Sequence, residues 1–121
     1  MILSFKSQFK EKILNGSKIH TIRKNNKRWT IGKKIHFATG VRTRNYDCFK
    51  EGECITLQEF AIYWRGNTVY PVAVTISRKK LSLDEVEVLA QNDGFDHVND
   101  FYNWFNKDFK GIIIHWTDFD Y

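Results

Sequence analysis

The spacing of hydrophobic and polar positions changes along the chain and predicts a mixture of short strands and helices. Apolar residues at every second position in residues 35–39 indicate a half-buried strand. Apolar residues three and four apart in residues 6–15 and 98–105 indicate helices that bury one face. A dense apolar run at residues 111–116 predicts a central strand. The predicted order is strand, helix, several strands, two helices and a strand. It is typical of a small, mostly antiparallel α+β domain with a barrel-like sheet and about three helices.

Residues at the helix boundaries support this reading of the first helix. Gly16 is placed to end it in a left-handed conformation. Phe9, Ile13 and Leu14 are expected on its buried side.

The two later helices carry boundary signals of their own. Ser82 and Glu85 have the spacing of a capping box, in which each side chain bonds the other residue's backbone N–H. Gly94 is expected to end this helix, and Asp96 is expected to cap the next one. The aromatic residues of the last helix, Trp104 included, are expected in the core.

The middle of the chain predicts strands and turns. Residues 54–64 and 69–78 are rich in strand-forming residues, and residues 65–68 between them have the composition of a two-residue hairpin. Residues 24–27 indicate a polar turn. Residues 40–53 are basic and then polar without periodicity, which predicts a mobile surface loop inserted in a single domain spanning residues 1–121.

Composition excludes several classes of protein. The 121 residues contain no apolar run of the roughly 20 residues that a membrane span needs. Lysines appear too early in the chain for a signal peptide, so Cys48 and Cys54 are expected to be free thiols of a cytoplasmic protein. These two thiols and four scattered histidines predict no metal site, and no cofactor is expected.

Charge is distributed unevenly between the two parts of the chain. Residues 1–50 hold 13 Lys and Arg against 2 acidic residues, a balance of +11, and residues 51–121 have a balance of −6. This asymmetry favours a basic face for a polyanion. The alternative is that the two halves interleave in space and neutralise each other.

Chemistry-bearing residues are most concentrated in residues 16–23. Lys18, His20, Thr21 and Arg23 follow a glycine within this short segment. Two cations, an imidazole and a hydroxyl could hold an anion or a polarised carbonyl, and the hydroxyl could act as a nucleophile if a base removed its proton.

Four segments resemble the ASCH family, a branch of the PUA-like β-barrel superfamily. They are the opening strand and helix, Gly16-Ser17-Lys18 with His20-Thr21-Ile22-Arg23, Asp93-Gly94-Phe95 between two helices, and the closing Ile113-Ile114-His115-Trp116. The resemblance implies a pseudo-barrel whose cleft binds RNA, nucleosides or nucleotides. One group of small ASCH proteins removes the acetyl group of acetylcytidine. Their nucleophile, base and acidic partner would correspond here to Thr21, Lys18 and Asp93, where that group has a Glu in place of Asp93.

Each candidate residue also has a plain structural interpretation. In a regular strand Lys18 and Thr21 point to opposite faces, so a shared site requires Lys18 to lie in the turn after Gly16, or a bulge. Thr21 could simply form strand and Lys18 could be a solvated cation. Arg23 could form a structural ion pair, and His20 could face a neighbouring strand instead of a ligand.

Basic and aromatic residues outside this segment could extend the site. An electrostatic funnel with stacking platforms for single-stranded nucleic acid could be formed by Arg42, Arg44, Lys33 and Lys34, with Tyr46 and Phe49 among them. Trp29, which follows two cations, is a separate candidate for an exposed stacking residue. The alternatives are a solvated basic loop and a buried tryptophan.

Three hypotheses about function follow from these observations. The first is a monomeric protein that binds RNA, or a modified nucleoside or nucleotide, in a basic cleft. The second is an amidohydrolase that uses Lys18, Thr21 and Asp93 on acetylcytidine-type nucleosides. The third is a protein-interaction adaptor of phage or mobile-element origin, which would have no polar cleft.

Overall fold

A computed structural model of the protein describes residues 1–25 and 27–121. The strands are β1 (Ile2–Phe5), β2 (His20–Arg23), β3 (Lys34–Thr39), β4 (Asp47–Glu53), β5 (Thr56–Tyr63), β6 (Ala73–Ile76), β7 (Lys79–Lys80) and β8 (Phe109–His115). The helices are α1 (Lys10–Leu14), α2 (Leu83–Asn92) and α3 (Val98–Trp104), and a 3-10 turn at Ser7–Phe9 precedes α1. The predicted α+β class with three helices is confirmed.

The described strands form two sheets. One has the order β1-β3-β4, with β1 parallel to β3 and β3 antiparallel to β4. The other has the order β2-β8-β5-β6-β7 and is antiparallel throughout. The prediction that β8 is an inner strand is therefore confirmed. Among the described residues no strand of one sheet is hydrogen-bonded to a strand of the other. The predicted barrel-like sheet therefore does not close.

One cluster of buried side chains connects both sheets and the helices. Phe37 of β3, Phe60 of β5, Leu89 of α2, Phe101 of α3 and Ile113 of β8 are each at most 2% exposed. The rings of Phe60 and Phe101 meet edge to face with centroids 6.2 Å apart, a favoured geometry for aromatic pairs. This core fixes β2 and α3 as walls of the cavity described below.

The boundary signals at Gly16, Ser82 and Gly94 are confirmed. The Ser82 side chain accepts a hydrogen bond from the backbone N–H of Glu85, and the Glu85 carboxylate accepts one from that of Ser82 at 2.9 Å. Gly16 and Gly94 both have left-handed backbones, with φ of 82° and 95°. The sequence therefore places the ends of these helices correctly, because capping is a local interaction.

Three side-chain predictions for the helices are wrong. Leu14 is 48% exposed, because the first turn is a tighter 3-10 turn and the apolar stripe does not continue to this position. Asp96 does not cap α3, whose N-cap is His97 without a side-chain hydrogen bond. Asp96 pairs with Lys12 instead. Trp104 is 44% exposed and is therefore not a core residue.

Within the described residues no helix has the length and apolar character to cross a bilayer.

The segment 40–53, predicted to be a mobile loop, is half strand. Its second half is β4, which pairs with β3 as an outer strand, and only residues 40–46 form the connection. Both faces of β4 are partly or fully exposed, so its sequence lacks the alternation by which a half-buried strand is recognised.

Two predicted turns have different outcomes. The polar turn at residues 24–27 includes Asn26, which lies outside the described residues. The two-residue hairpin at 65–68 is wrong, because β5 ends at Tyr63 and β6 begins only at Ala73. Directly after β5, the Trp64 backbone N–H donates to the Asp108 carboxylate at 2.6 Å instead of pairing with β6.

Candidate functional site

A cavity of about 320 Å³ lies beside the start of β2. Its polar lining comprises Ser4, Lys6, Lys18, Thr21, Arg23 and Asp93. Its aromatic wall includes Phe5, Phe9, Phe95 and Trp104. The size and the combination of an apolar lining with a few polar groups are typical of small-molecule sites.

Lys18 and Thr21 reach the same cavity because Lys18 precedes the strand. The backbone N–H of Lys18 donates to the Lys12 carbonyl at 2.9 Å, and β2 begins only at His20. This arrangement meets the condition set by strand geometry, that Lys18 lie in the turn after Gly16. Gly94 leaves room for Lys18, since a Cβ there would stand 2.9 Å from Lys18 Cδ.

Lys18 and Asp93 form a buried ion pair. Lys18 Nζ donates to Asp93 Oδ1 at 3.2 Å and to the Asp93 backbone carbonyl, and the two side chains are 3% and 5% exposed. Burial lowers the pKa of Lys18, while the Asp93 carboxylate opposes that effect. The amine also lies 4.8 Å from the centroid of the Phe9 ring, within cation–π range.

Arg23 lies two residues after Thr21 on the cavity side of β2 and donates a hydrogen bond to it. Arg23 Nε donates to Thr21 Oγ1 at 3.2 Å, and Nη2 donates to the backbone carbonyl of Ser4. The guanidinium carbon lies 5.0 Å from the centroid of the Phe5 ring. Among the described residues no carboxylate lies within salt-bridge distance of Arg23, although Asp93 acts on it electrostatically and both of its hydrogen bonds are to the protein itself. The two hydrogen bonds use only part of the donor set of a guanidinium, so Arg23 can also bind a ligand.

His20 lies on the other side of β2 and does not line the cavity. Its Nδ1 is 3.1 Å from Asp93 Oδ1, and its Nε2 is 2.6 Å from the Tyr121 hydroxyl. Because a carboxylate only accepts, Nδ1 carries the proton and Nε2 accepts from Tyr121. Asn92 Nδ2 donates to the same hydroxyl at 3.1 Å. Burial lowers the pKa of His20 and raises that of Tyr121, which keeps both neutral at pH 7.

A second buried histidine adjoins this network. His115 Nε2 donates to Gln58 Oε1 at 2.9 Å, while its Nδ1 has no hydrogen-bond partner in the described part of the chain. Burial lowers the pKa of His115 to about 4. The described residues contain no cluster of His, Cys, Asp and Glu able to hold a metal ion.

A shared family would assign roles to Lys18, Thr21 and Asp93 directly. No family model, no curated protein and no solved structure matches this chain. The roles of these residues therefore rest on their geometry and on the resemblance in sequence.

The remaining predicted site residues do not join the cavity. Trp29 is 7% exposed and belongs to the core, so its prediction as an exposed stacking platform is wrong. Arg42 lines a separate groove, and Arg44 is exposed and lines neither the cavity nor that groove. Lys34 pairs with Glu51 at 3.1 Å.

Two residues around the site were missed by the sequence interpretation. Trp104 lines the cavity, although its helical spacing with other aromatic residues suggested the core. Tyr121 contacts the His20 side of the network, yet it lies far from His20 in sequence and in no periodic segment. Neither position carries a local signal, because both depend on contacts between distant elements.

Proposed function

We propose that the cavity binds a nucleoside or nucleotide, free or as part of RNA. The observation that carries this proposal is the convergence of Lys18, Thr21 and Arg23 on one aromatic-walled cavity of about 320 Å³. In this complex a base would stack on Trp104, which lines the cavity and is 44% exposed; Lys6 Nζ lies 4.9 Å from the centroid of the same ring. The donors of Arg23 can hold a phosphate or a base carbonyl. The resemblance to ASCH proteins, and with it a PUA-like fold, supports the same assignment.

Replacing Arg23 tests this proposal. Isothermal titration with cytidine, acetylcytidine and cytidine monophosphate should show binding by the wild type. Arg23→Ala should weaken it about 10- to 100-fold, the effect of losing a hydrogen bond from a charged group. Arg44→Ala, which removes the same charge away from the cavity, is the matched control. Equal affinities for the wild type and Arg23→Ala would overturn the assignment of the cavity.

A specific observation also favours hydrolysis of an acetylated nucleoside. Lys18 and Thr21 line the same cavity, where Lys18 Nζ donates to Asp93 and Thr21 Oγ1 accepts from Arg23 Nε. Burial lowers the pKa of Lys18, which favours the neutral amine that a base requires, and the Asp93 carboxylate opposes that effect. The hydrogen bond from Arg23 to Thr21 Oγ1 would stabilise negative charge that develops on that oxygen. The polar cavity favours both ligand-binding hypotheses over the adaptor hypothesis.

The hydrolytic step would proceed through an acetyl-threonine ester. Lys18, protonated in its pair with Asp93, would first give up a proton to solvent. Thr21 Oγ1 then attacks the acetyl carbonyl carbon while its proton passes to the Lys18 amine. The tetrahedral intermediate then expels the exocyclic amine, which takes a proton from Lys18 and leaves as cytidine. Water hydrolyses the ester to acetate and restores the threonine hydroxyl. Asp93 orients the Lys18 amine throughout.

Mass spectrometry of acetylcytidine incubated with the protein separates binding from catalysis. We expect deacetylation by the wild type, a loss of at least about a thousandfold in Thr21→Ala, and substantial retention in Thr21→Ser, which keeps a hydroxyl. Absence of turnover in a wild-type sample that binds acetylcytidine would contradict the hydrolase and leave the binding function standing.

A further inference from the structure

A second concave surface, the basic groove, lies next to the cavity. Its volume is about 1160 Å³, and its lining includes Ser4, Arg28, Lys33, Arg42 and Tyr46. None of the described residues that line it is acidic. The groove is thus larger than the cavity and carries one sign of charge, the arrangement that attracts a polyanion.

The basic groove and the cavity share one wall. Ser4 of β1 lines both, and its backbone carbonyl accepts the hydrogen bond from Arg23. The cavity and the groove therefore adjoin at Ser4. This continuity is a tertiary feature, because Ser4, Arg23 and Arg42 lie in separate segments of the sequence.

The turn that carries Arg42 is held by internal hydrogen bonds. Thr43 Oγ1 donates to the Gly40 carbonyl at 2.6 Å and accepts from the Asn45 backbone N–H at 3.1 Å. Gly40 packs closely, since a Cβ there would stand 2.5 Å from the Asn45 carbonyl oxygen. Arg42 has a left-handed backbone with φ of 65°, a conformation that is unfavourable for an arginine. These contacts constrain the backbone at Arg42, beside the groove.

Exposed aromatic surface accompanies the cations of the groove. Tyr46 is 47% exposed, at the end of the same turn. The Arg28 guanidinium carbon lies 5.1 Å from the centroid of the buried Trp29 ring, within cation–π range. Trp29 therefore packs against one of the cations that line the groove. Cations that follow a backbone, with an aromatic ring for stacking, are the features that bind single-stranded nucleic acid.

We propose that the basic groove holds the phosphate backbone of a single-stranded polynucleotide, one of whose bases occupies the cavity. Lys33 and Arg42 contact phosphates, and Tyr46 stacks on a base outside the cavity. The inference rests on the proposed function and deepens it, because it makes the ligand a polynucleotide instead of a free nucleoside. Phosphate contacts would supply most of the affinity, and the cavity would select the base.

Comparing Arg42 with Arg44 tests the groove. Fluorescence anisotropy would measure binding of labelled eight-nucleotide RNA and DNA strands from low to moderate salt. We expect Arg42→Ala and Lys33→Ala each to weaken binding about tenfold and to reduce the slope of log affinity against log salt by about 0.7. Arg44→Ala removes the same charge from the same turn outside the groove, and should change affinity less than twofold.

The outcomes separate this inference from the proposed function. Nucleoside binding by isothermal titration should be unaffected by Arg42→Ala and weakened about 10- to 100-fold by Arg23→Ala. If the strand binds no tighter than the nucleoside, or if Arg42→Ala and Arg44→Ala weaken strand binding equally, the groove proposal is overturned while nucleoside binding stands. If Arg23→Ala leaves both ligands bound as in the wild type, the assignment of the cavity fails as well. Equal binding of RNA and DNA, or tighter binding of RNA, would each support the groove and would show whether the ribose 2′-hydroxyl contributes.

Discussion

Replacing Asp93 by leucine is expected to destabilise the protein by about 3–5 kcal/mol. The Asp93 carboxylate accepts from Lys18 Nζ and from His20 Nδ1, and both donors are almost fully buried. In the variant the Lys18 amine keeps the Asp93 backbone carbonyl as an acceptor but loses its counter-ion, and the His20 N–H loses its acceptor. Leaving a buried charge uncompensated costs far more than losing an exposed pair. Urea unfolding at pH 7 measures the difference.

Asp96 provides the matched control for this prediction. It lies three residues along the same turn and also pairs with a lysine, Lys12, but its side chain is 75% exposed. Asp96→Leu should therefore destabilise the protein far less than Asp93→Leu. Adding Lys18→Met to Asp93→Leu should recover much of the loss, because it removes the unpaired charge. Equal stabilities of Asp93→Leu and Asp96→Leu would contradict a stabilising role for the buried pair.

The protein should lose stability as the pH falls from 7.5 to 5. The pKa of His115 is lowered to about 4 by burial, whereas an exposed histidine in the unfolded chain has a pKa of about 6.5. Between these values the unfolded chain binds more protons than the folded one, so the free energy of unfolding rises with pH. His115 alone contributes a loss of about 2 kcal/mol by pH 5 and about 3 kcal/mol below pH 4. His20, whose pKa burial also lowers, acts in the same direction.

His115→Gln and His97→Gln together test this pH dependence. Glutamine at position 115 can still donate to Gln58 but cannot be protonated, so His115→Gln should have a flatter unfolding profile between pH 7.5 and 5. His97 is exposed, and its replacement should leave the profile of the wild type unchanged. A wild-type free energy of unfolding that is equal at pH 7.5 and pH 5 would contradict the prediction.

The candidate site was predictable from sequence only in part. Lys18, Thr21, Arg23 and Asp93 were selected by residue type, spacing and resemblance, and the structure brings these four to one cavity. His20 was selected with them but lies behind β2, because neighbouring positions of a strand face opposite sides. Trp29 was expected to be exposed and is buried, whereas Trp104 was expected in the core and is partly exposed. Local spacing does not show which face of a helix or loop another element will cover.

The sequence by itself determined the features that depend on neighbouring residues. The helix ends at Gly16 and Gly94, the capping box at Ser82 and the alternation of β3 are local interactions, and each was recognisable without the fold. The tertiary structure alone decided that β4 is a strand, that the sheet divides in two, and that Tyr121 reaches His20. It also placed Ser4 between the cavity and the basic groove. These features require contacts between residues distant in sequence, and burial and strand pairing decide such contacts only when the whole chain has folded.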